Sequence, residues 1–578
     1  MNDGVLFLVP ARGGSVRVPR KNLRLVAGIP LVGRAVRAAR LAAEAVPGGP
    51  HAVVCSTDDP EIAAAAADWG AEVPFTRPPG LATATATSAD AAIHALDWLA
   101  AAGRTFRALV LVQPTSPLTD PADLVAAVAR FDADGMPVVA VTASHPASFH
   151  VTGADRGLLA QLAGDAAAAD RLLTGAFYVV APAALRHARR FVEPGATAAL
   201  EVPAERSVDV DEEADLAVAE AIAQARPVRP VQIAGHALGG GPAFVIAEGG
   251  VNHNGDPELA HRLVDAAADA GADAVKFQTF DPDALAAAGA PMADYQRKAG
   301  EHGADQREML ARLVLPLEAW AGIRQHALDR GLVFLSTPFD VRSAELLERL
   351  GVPAFKVGSG ELTNIPFLER IAAFGRPMLL STGMADMREV AEALDAIRGA
   401  GNPPVALFHC VSSYPASPAN ANLRAIVTLR AAFGVPSGWS DHTPGIELPV
   451  AAVALGATLV EKHLTLDRAM PGPDHAASLP PADFAAMTAA IRAVEPALGT
   501  GDKRPVPAER DVAAVARRSL HWTRDLAAGE TVRDGDLVAL RPASGLPPAR
   551  LRDALGRAVA RAVVAGTAAT DDDLGPLP

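Results

Sequence analysis

Between residues 243 and 466 the chain passes through eight apolar segments, each ending abruptly at polar residues. They read AFVIAEGGVNHNG, DAVKFQTF, LVFLSTPFD, AFKVGSGE, PMLLSTGM, VALFHCVSSY, PSGWSDHT and TLVEKHLT. Helical pattern fills the intervals. A strand followed by a helix, eight times over, predicts a closed parallel barrel. In such a barrel the carboxy-terminal strand ends share one mouth. Those ends carry Glu248, Lys276, Gln278, Thr337, Lys356, Ser359, Glu361, Ser381, Ser412, Ser440, His442 and His463. Residues able to do chemistry are therefore collected at a single rim.

The barrel accounts for under half of 578 residues, and a chain of that length divides into several cores. Residues 1–226 alternate strand and helix patterns, with strands expected at VLFLVP, HAVVCST, EVPFT, RALVLVQP, PVVAVTA and GAFYVV. This is the pattern of an open, doubly wound α/β domain. Proline and glycine mark a junction near residue 227. VQIAGHALGGGP then reads as a short hairpin closing the bottom of the barrel, which occupies 227–500. A polar connector, TGDKRPVPAERDVAAVA, leads to a compact β-rich module over 515–578.

The net charge of −14 argues against a nucleic-acid partner. The two cysteines, Cys55 and Cys410, lie far apart and suggest a reducing compartment. No stretch has the length of a membrane span. The apolar start before Arg12 is too short for a secretory signal. The expectation is a cytoplasmic protein without a membrane partner.

In the amino-terminal domain the first strand runs into Pro10-Ala11-Arg12-Gly13-Gly14-Ser15-Val16-Arg17-Val18-Pro19-Arg20-Lys21-Asn22. Glycine amides and basic side chains could cradle a triphosphate, although such a loop is also an ordinary solvated turn. A later strand ends at Gln113, which could read a base edge by paired hydrogen bonds. In Ser207-Val208-Asp209-Val210-Asp211, alternation puts both carboxylates on one face of an extended segment, as a magnesium site needs. The other reading is an acidic lead-in to a helix.

In the barrel, His442 and His463 end neighbouring strands, so they should meet in space. Two imidazoles with open positions suit a divalent ion such as Mn²⁺. Lys276 and Lys356, with strand-end hydroxyls, suit a phosphate and a nearby carboxylate. A Schiff-base aldolase is the competing chemistry, because a strand-end lysine is also its nucleophile.

PARGGSVRVPRKN, VQPTSPL and SVDVD together resemble the acylneuraminate cytidylyltransferases, over residues 3–225. The resemblance implies CTP bound by Arg12, Gly13, Ser15, Lys21, Asn22 and Gln113, with Mg²⁺ on Asp209 and Asp211. A sugar hydroxyl would attack the α-phosphorus and release pyrophosphate. Val16 stands where the family usually has lysine. Thr174 stands where it often has asparagine. A domain that only binds nucleotide or product is the alternative.

IAEGGVNHNGD, FLSTPFD, FKVGSGE, HCVSSYP, SDHTPG, VEKHLTLDR and PGPDHAASL resemble the sialic acid synthase family. That implies condensation of phosphoenolpyruvate with an N-acyl hexosamine, giving a nine-carbon 2-keto acid and phosphate. By the same resemblance His442 and His463 hold Mn²⁺. Lys276, Thr337, Lys356, Ser359, Ser381, Ser412 and Ser440 hold phosphoenolpyruvate. Glu248, Gln278, Tyr414 and Asp474 face the sugar. In such a condensation a carboxylate must take the water proton, and Glu361 and Glu248 are the candidates. RRSL, AAGETV, LRPASG and LGRAVARAVVAG resemble the antifreeze-like (SAF) domain that ends these synthases. The resemblance implies a domain-swapped homodimer in which Arg541 reaches the partner's sugar site. Ala543 replaces the family's glycine there.

Overall fold

The computed structural model describes residues 3–83, 85–143, 171–193, 195–292, 297 and 305–576. It separates into two compact units, Met1–Ala497 and Leu498–Pro578. The first contains both the amino-terminal α/β domain and the barrel.

The amino-terminal sheet comprises β1 (Val5–Pro10), β2 (Ala52–Ser56), β3 (Ala108–Val112), β4 (Val138–Ala143), β5 (Arg171–Val180) and β6 (Ala198–Glu201). Their order is β2-β1-β3-β5-β4-β6. β5 runs antiparallel to both of its neighbours. Side chains alternate across the sheet. Val5, Phe7 and Val9 pack beneath the helices Leu31–Ala45 and Pro121–Asp134. Leu6 and Leu8 pack against Ser88–Ala101 and Pro182–Ala188. Both faces are covered, as the double winding requires. EVPFT is not a strand: only isolated bridges at Glu72 and Thr76 join it to the sheet edge. Its Pro74 lacks an N–H for a ladder. β6, whose short AALE run has no strong apolar alternation, was not expected from sequence.

All eight expected barrel strands form: β7 (Phe244–Gly250), β8 (Ala274–Thr279), β9 (Val333–Pro338), β10 (Phe355–Val357), β11 (Met378–Ser381), β12 (Val405–Cys410), β13 (Ser437–Asp441) and β14 (Leu459–His463). Parallel ladders run β9-β8-β7-β14-β13-β12-β11-β10. β9 lies beside β10 without a ladder among the described residues, so the ring is nearly closed. The hairpin of Val231–Ile233 and His236–Leu238 forms as expected. Its Val231, Ile233 and Leu238 join Phe244, Ile246, Leu335, Leu379, Phe408 and Leu459 in an apolar plug at the bottom of the barrel. The polar connector contains the short helix Arg510–Ala516. In the carboxy-terminal unit Ser519–Trp522 pairs with Leu537–Leu540, and further isolated bridges surround an apolar core.

The two domains of the first unit share a packed seam. Leu216, Ala219 and Ala223 of the helix Glu213–Ala225 meet Ala431 and Ala432 of the barrel helix Arg424–Phe433. These helices run in the same direction. Glu220 accepts from the Ala27 N–H beside Gly28, which touches Thr428, while Arg226 lies near Gly434. Charge tightens the seam. Asp395, 5% exposed, accepts from Arg37 at 2.7 Å, Arg40 at 2.5 Å and Arg398 at 2.9 Å. Arg37 also lies 5.7 Å from the centre of the Phe433 ring. Removing one partner of a buried ion pair strands the others. Asp395→Ala should therefore lose about 3 kcal/mol, seen as a lower urea midpoint and faster proteolysis near residues 226–230. An unchanged midpoint would show that the seam does not rest on this carboxylate.

Candidate active sites at the barrel mouth and the amino-terminal cavity

Period-two alternation decides what fills the barrel. One inward step above the apolar plug the side chains become Glu248, Lys276, Thr337, Lys356, Ser381, Cys410 and Glu461. Glu461 is the hub. Its Oε1 accepts from Lys356 Nζ at 3.2 Å and from Ser440 Oγ at 3.0 Å. Its Oε2 lies 3.8 Å from Lys276 Nζ. Lys276 also approaches Glu248 Oε2 at 2.6 Å and donates to Thr337 Oγ1 at 3.0 Å. Gln278 donates to the other Glu248 oxygen at 3.2 Å. Lys356 Nζ stands 5.2 Å from the centre of the Phe408 ring, at the edge of the plug. Glu248, Lys276, Lys356 and Glu461 are all buried.

The two carboxyls are driven apart. Burial raises Glu248, with Glu461 adding to the rise and Lys276 only partly opposing it. Burial also works to raise Glu461, but Lys276 and Lys356 outweigh it and hold the group well below the usual carboxylate range. Burial lowers Lys356, whereas Glu248 and Glu461 overcome burial at Lys276 and raise it. One carboxylate is therefore a fixed counter-charge and the other a candidate proton carrier.

Hydroxyls gather on the opposite wall. Ser359 Oγ lies 3.1 Å from Cys410 Sγ and accepts the Gly383 N–H at 3.0 Å. A Cβ on Gly383 would stand 2.4 Å from Ser412 Oγ and 2.9 Å from Ser359 Oγ, so only glycine lets these groups converge. Ser381 Oγ is buried and has no hydrogen-bond partner among the described residues.

The histidines meet as expected, with ring centres 5.6 Å apart. The Tyr414 ring lies 4.1 Å from His442 and 5.7 Å from His463, centre to centre. Burial pushes both imidazoles below their ordinary range, so the rings are neutral near pH 7. His442 Nδ1 lies 2.8 Å from the Val411 carbonyl; as the donor there, it leaves the Nε2 lone pair available. His463 Nδ1 is buried without a hydrogen-bond partner among the described residues, and Asp474 Oδ2 is 3.9 Å away. Neutral nitrogen donors with unused lone pairs fit a divalent ion. No set of three His, Cys, Asp or Glu side chains gathers into a cage among the described residues.

The acids beside the histidines have other tasks. Asp441 pairs with Lys462 at 2.6 Å on the outer face of the strands and accepts from Thr443. Glu361 is not drawn into the buried network. It stands in a single turn past β10, and its carboxylate accepts from Asn364 at 2.7 Å. Glu248 is thus the better-placed proton carrier. Asn252, in the loop after β7, clasps the 464–478 loop through Leu464 O and Ser478 Oγ. Arg541 is exposed, immediately after Leu537–Leu540, in the separate carboxy-terminal unit.

A cavity of about 480 Å³ lies at the carboxy-terminal edge of the amino-terminal sheet. Its lining includes Arg12, Ser15, Lys21, Asn22, Gln113 and Asp211. Asn22 is buried and donates to Arg12 O at 2.9 Å, fixing the glycine loop. Gly13 is placed by Asp58, which accepts its N–H at 3.0 Å. Lys21 donates to Val210 O at 2.7 Å and Asp211 Oδ1 at 3.1 Å, while Arg17 lies 3.4 Å from Asp211. Asp209 sits beside this wall, where desolvation and the neighbouring Asp211 charge raise it despite a Thr115 hydrogen bond. Two carboxylates that repel each other suit a cation between them.

Sequence reasoning missed two contributors here. Arg77 is buried in the lining, with Nε 3.0 Å from Ser56 Oγ. The amino terminus of the helix Ser88–Ala101, capped by Thr87, also opens onto the cavity. Its Thr-x-x-Asp capping pattern was the available signal. Thr174 turns inward, lying 3.2 Å from the Ala176 N–H and 3.4 Å from Ala140 O, whereas Val16 is 85% exposed at the rim.

Glu461→Gln should leave two buried ammonium groups short of charge and cost about 3–5 kcal/mol, measured by urea unfolding. A loss under 1 kcal/mol would remove Glu461 from its central place. Acid should also loosen the barrel. Burial holds His253 and His475 to about 4, so the unfolded chain takes up protons first. Their stability contribution is complete above the ordinary histidine value and declines as pH falls towards 4, by roughly 1.4 kcal/mol per unit for each. His475→Gln should flatten that slope in urea midpoints taken between pH 7.5 and 5.

Three family models match the chain: the cytidylyltransferase family over residues 6–149, the NeuB family over 263–503 and the SAF domain over 517–575. The N,N'-diacetyllegionaminic acid synthase of Legionella pneumophila is 42% identical over 328 residues, 56% of this chain and 92% of that protein. The enzyme of the same name from Campylobacter jejuni is 43% identical over 316 residues, 54% of this chain and 95% of its own. The N-acetylneuraminate-9-phosphate synthase of Mus musculus is 35% identical over 326 residues, 55% and 89% of the two chains. The chain belongs to the NeuB family of synthases, joined here to an amino-terminal cytidylyltransferase domain and a carboxy-terminal SAF domain.

Proposed function

We propose that the chain makes and then activates a nonulosonic acid. The barrel condenses phosphoenolpyruvate with an N-acyl hexosamine aldehyde to give a nine-carbon 2-keto acid and phosphate. The amino-terminal domain transfers CMP from CTP to that acid and releases pyrophosphate. The observation that carries the reading is the mouth of the barrel, where two buried ammonium groups, a converging set of hydroxyls and two neutral imidazoles stand at the strand ends with a carboxyl of raised pKa.

Lys276 and Lys356 supply the charge for the phosphate and carboxylate of phosphoenolpyruvate, with Thr337, Ser359, Ser381, Ser412 and Ser440 adding donors. Substrate anions would take over part of the counter-charge role that Glu248 and Glu461 fill now. Gln278, Tyr414 and Asp474 border the side from which the sugar aldehyde approaches. A divalent ion held by His442 and His463, Mn²⁺ by family resemblance, would polarise the aldehyde oxygen. After the new C–C bond forms, water adds to C2 of the former enol. Glu248, with its raised pKa, takes that proton, and C–O cleavage then expels phosphate. A Schiff base is disfavoured because Lys276 is held charged by Glu248 and Glu461, while Lys356, though lowered, lies against the ionised Glu461.

In the amino-terminal domain Arg12, Arg77, Lys21 and the helix start at Ser88 would neutralise the triphosphate, and Gln113 would meet the base. Asp209 and Asp211 would hold Mg²⁺ once Lys21 turns to the nucleotide. In the carboxy-terminal unit we assign Arg541 to the N-acyl group of sugar bound in a partner subunit, within a homodimer. The aldehyde to try first is a 2,4-diacetamido sugar, because the relatives at 42% and 43% identity carry legionaminic names.

Mass spectrometry of products from phosphoenolpyruvate, CTP and a panel of N-acyl hexosamines tests both halves. The expected result is a CMP-linked nonulosonic acid. His463→Ala or a strong chelator should abolish the 2-keto acid. Free acid without its CMP ester, in the presence of Mg²⁺ and CTP, would reduce the amino-terminal domain to a binding module.

A further inference from the structure

The seam between the first two domains contains a guanidinium that the proposed reactions do not use. The helix Leu31–Ala45 carries Arg34 and Arg37 one turn apart. Arg37 is committed to Asp395. Arg34 Nε donates to Val26 O at 2.8 Å, but its Nη2 is buried and has no hydrogen-bond partner among the described residues. A buried, unsatisfied charged donor is costly.

Arg34 lines a cavity of about 80 Å³, together with Arg37, Arg226, Leu118, Thr119 and Asp120. The carboxylates nearby are already engaged. Asp120 caps the helix Pro121–Asp134 by accepting the Ala122 N–H at 2.9 Å. Glu220 accepts from Ala27 N at 2.6 Å and Gln224 Nε2 at 3.0 Å. Burial, then the charges of Arg226 and Arg37, outweigh the Glu220 carboxylate and pull Arg34 down to about 10, so it remains a cation at neutral pH whose Nη2 has no hydrogen-bond partner among the described residues. The space is far smaller than the 480 Å³ nucleotide cavity and matches one tetrahedral group rather than a nucleotide.

We propose that this cavity is a binding site for a tetrahedral oxyanion of the inorganic phosphate class, held by Arg34 and Arg226. Its wall at Leu118–Asp120 continues directly from Gln113 and Thr115 of the nucleotide cavity, and Ala432 on its other side belongs to the barrel. A bound anion would tie the base-reading loop to the seam.

Hydrogen exchange of the full chain, titrated with inorganic phosphate against chloride of equal ionic strength, tests the site. Phosphate bound in the barrel or at the glycine loop would protect those segments instead and is read separately. The expected result is saturable protection of the Leu118–Asp120 amides and of the 25–30 hairpin. Arg226→Ala should weaken the apparent affinity about tenfold, and Arg34→Met should abolish the protection. The proposal is overturned if chloride protects equally, if protection survives unchanged in both variants, or if pyrophosphate protects where phosphate does not.

Discussion

Everything at the barrel mouth is organised around the placement of Glu461 between Lys276 and Lys356. Two ammonium groups above a plug containing Phe244, Leu335 and Phe408 would be untenable without a counter-charge. Glu461 supplies it and stays ionised because both lysines face it. That choice fixes the rest. Lys276 also pairs with Glu248, but burial, with the charge of Glu461 added to it, outweighs that pairing and raises Glu248. The proton-carrying character of Glu248 thus comes from its burial, with the ionised Glu461 reinforcing it. A substrate dianion entering the site meets cations already oriented by a carboxylate that it can partly replace. Little reorganisation is then needed when charge develops during the reaction.

The imidazole pair obeys the same rule of burial with assigned partners. His442 is steered by a backbone carbonyl and His463 is left with an open nitrogen, so neutral donors are presented side by side. Burial, aided by the neighbouring lysines, keeps them unprotonated. Asp441 lies next to His442 in sequence yet serves the turn through Thr443 and Lys462. A residue one step along a strand faces the opposite side of the sheet, and alternation rather than proximity decides which acid reaches the site.

That distinction explains what was legible in the sequence. The barrel strands, the bottom hairpin and the meeting of His442 with His463 follow from period and topology, and all three are present. The convergence of Ser359 and Ser412 at Gly383 follows from strand ends sharing a rim. The function of Glu461 was not legible, because no motif marks it and only its pairing with Lys276 and Lys356 in the folded barrel reveals it. The choice between Glu361 and Glu248 was not legible either: Glu361 lies beyond the strand, in a turn whose direction no periodicity specifies, and it bonds to Asn364. In the amino-terminal domain the glycine loop was readable as a motif. Arg77 was not, since its role depends on a loop folding back beneath Ser56. EVPFT failed as a strand because Pro74 breaks the ladder that its apolar residues suggest.

The seam has a geometric consequence for a chain with two sites. The helix Glu213–Ala225 begins just after Asp211, which lines the nucleotide cavity, and it lies parallel to Arg424–Phe433, which follows the strand end leading to Ser412 and Tyr414. Parallel packing of these helices puts both of their amino termini at the same side of the unit. The strand-end faces of the sheet and the barrel therefore open in a common direction, held there by Asp395 and the small alanines of the interface. A product leaving one mouth emerges on the side where the other is accessible, and linkage raises its local concentration there. Bulky residues in place of Ala219 or Ala431 would overpack this interface and prise the two helices apart. The small size of those side chains is what lets the two domains pack this closely.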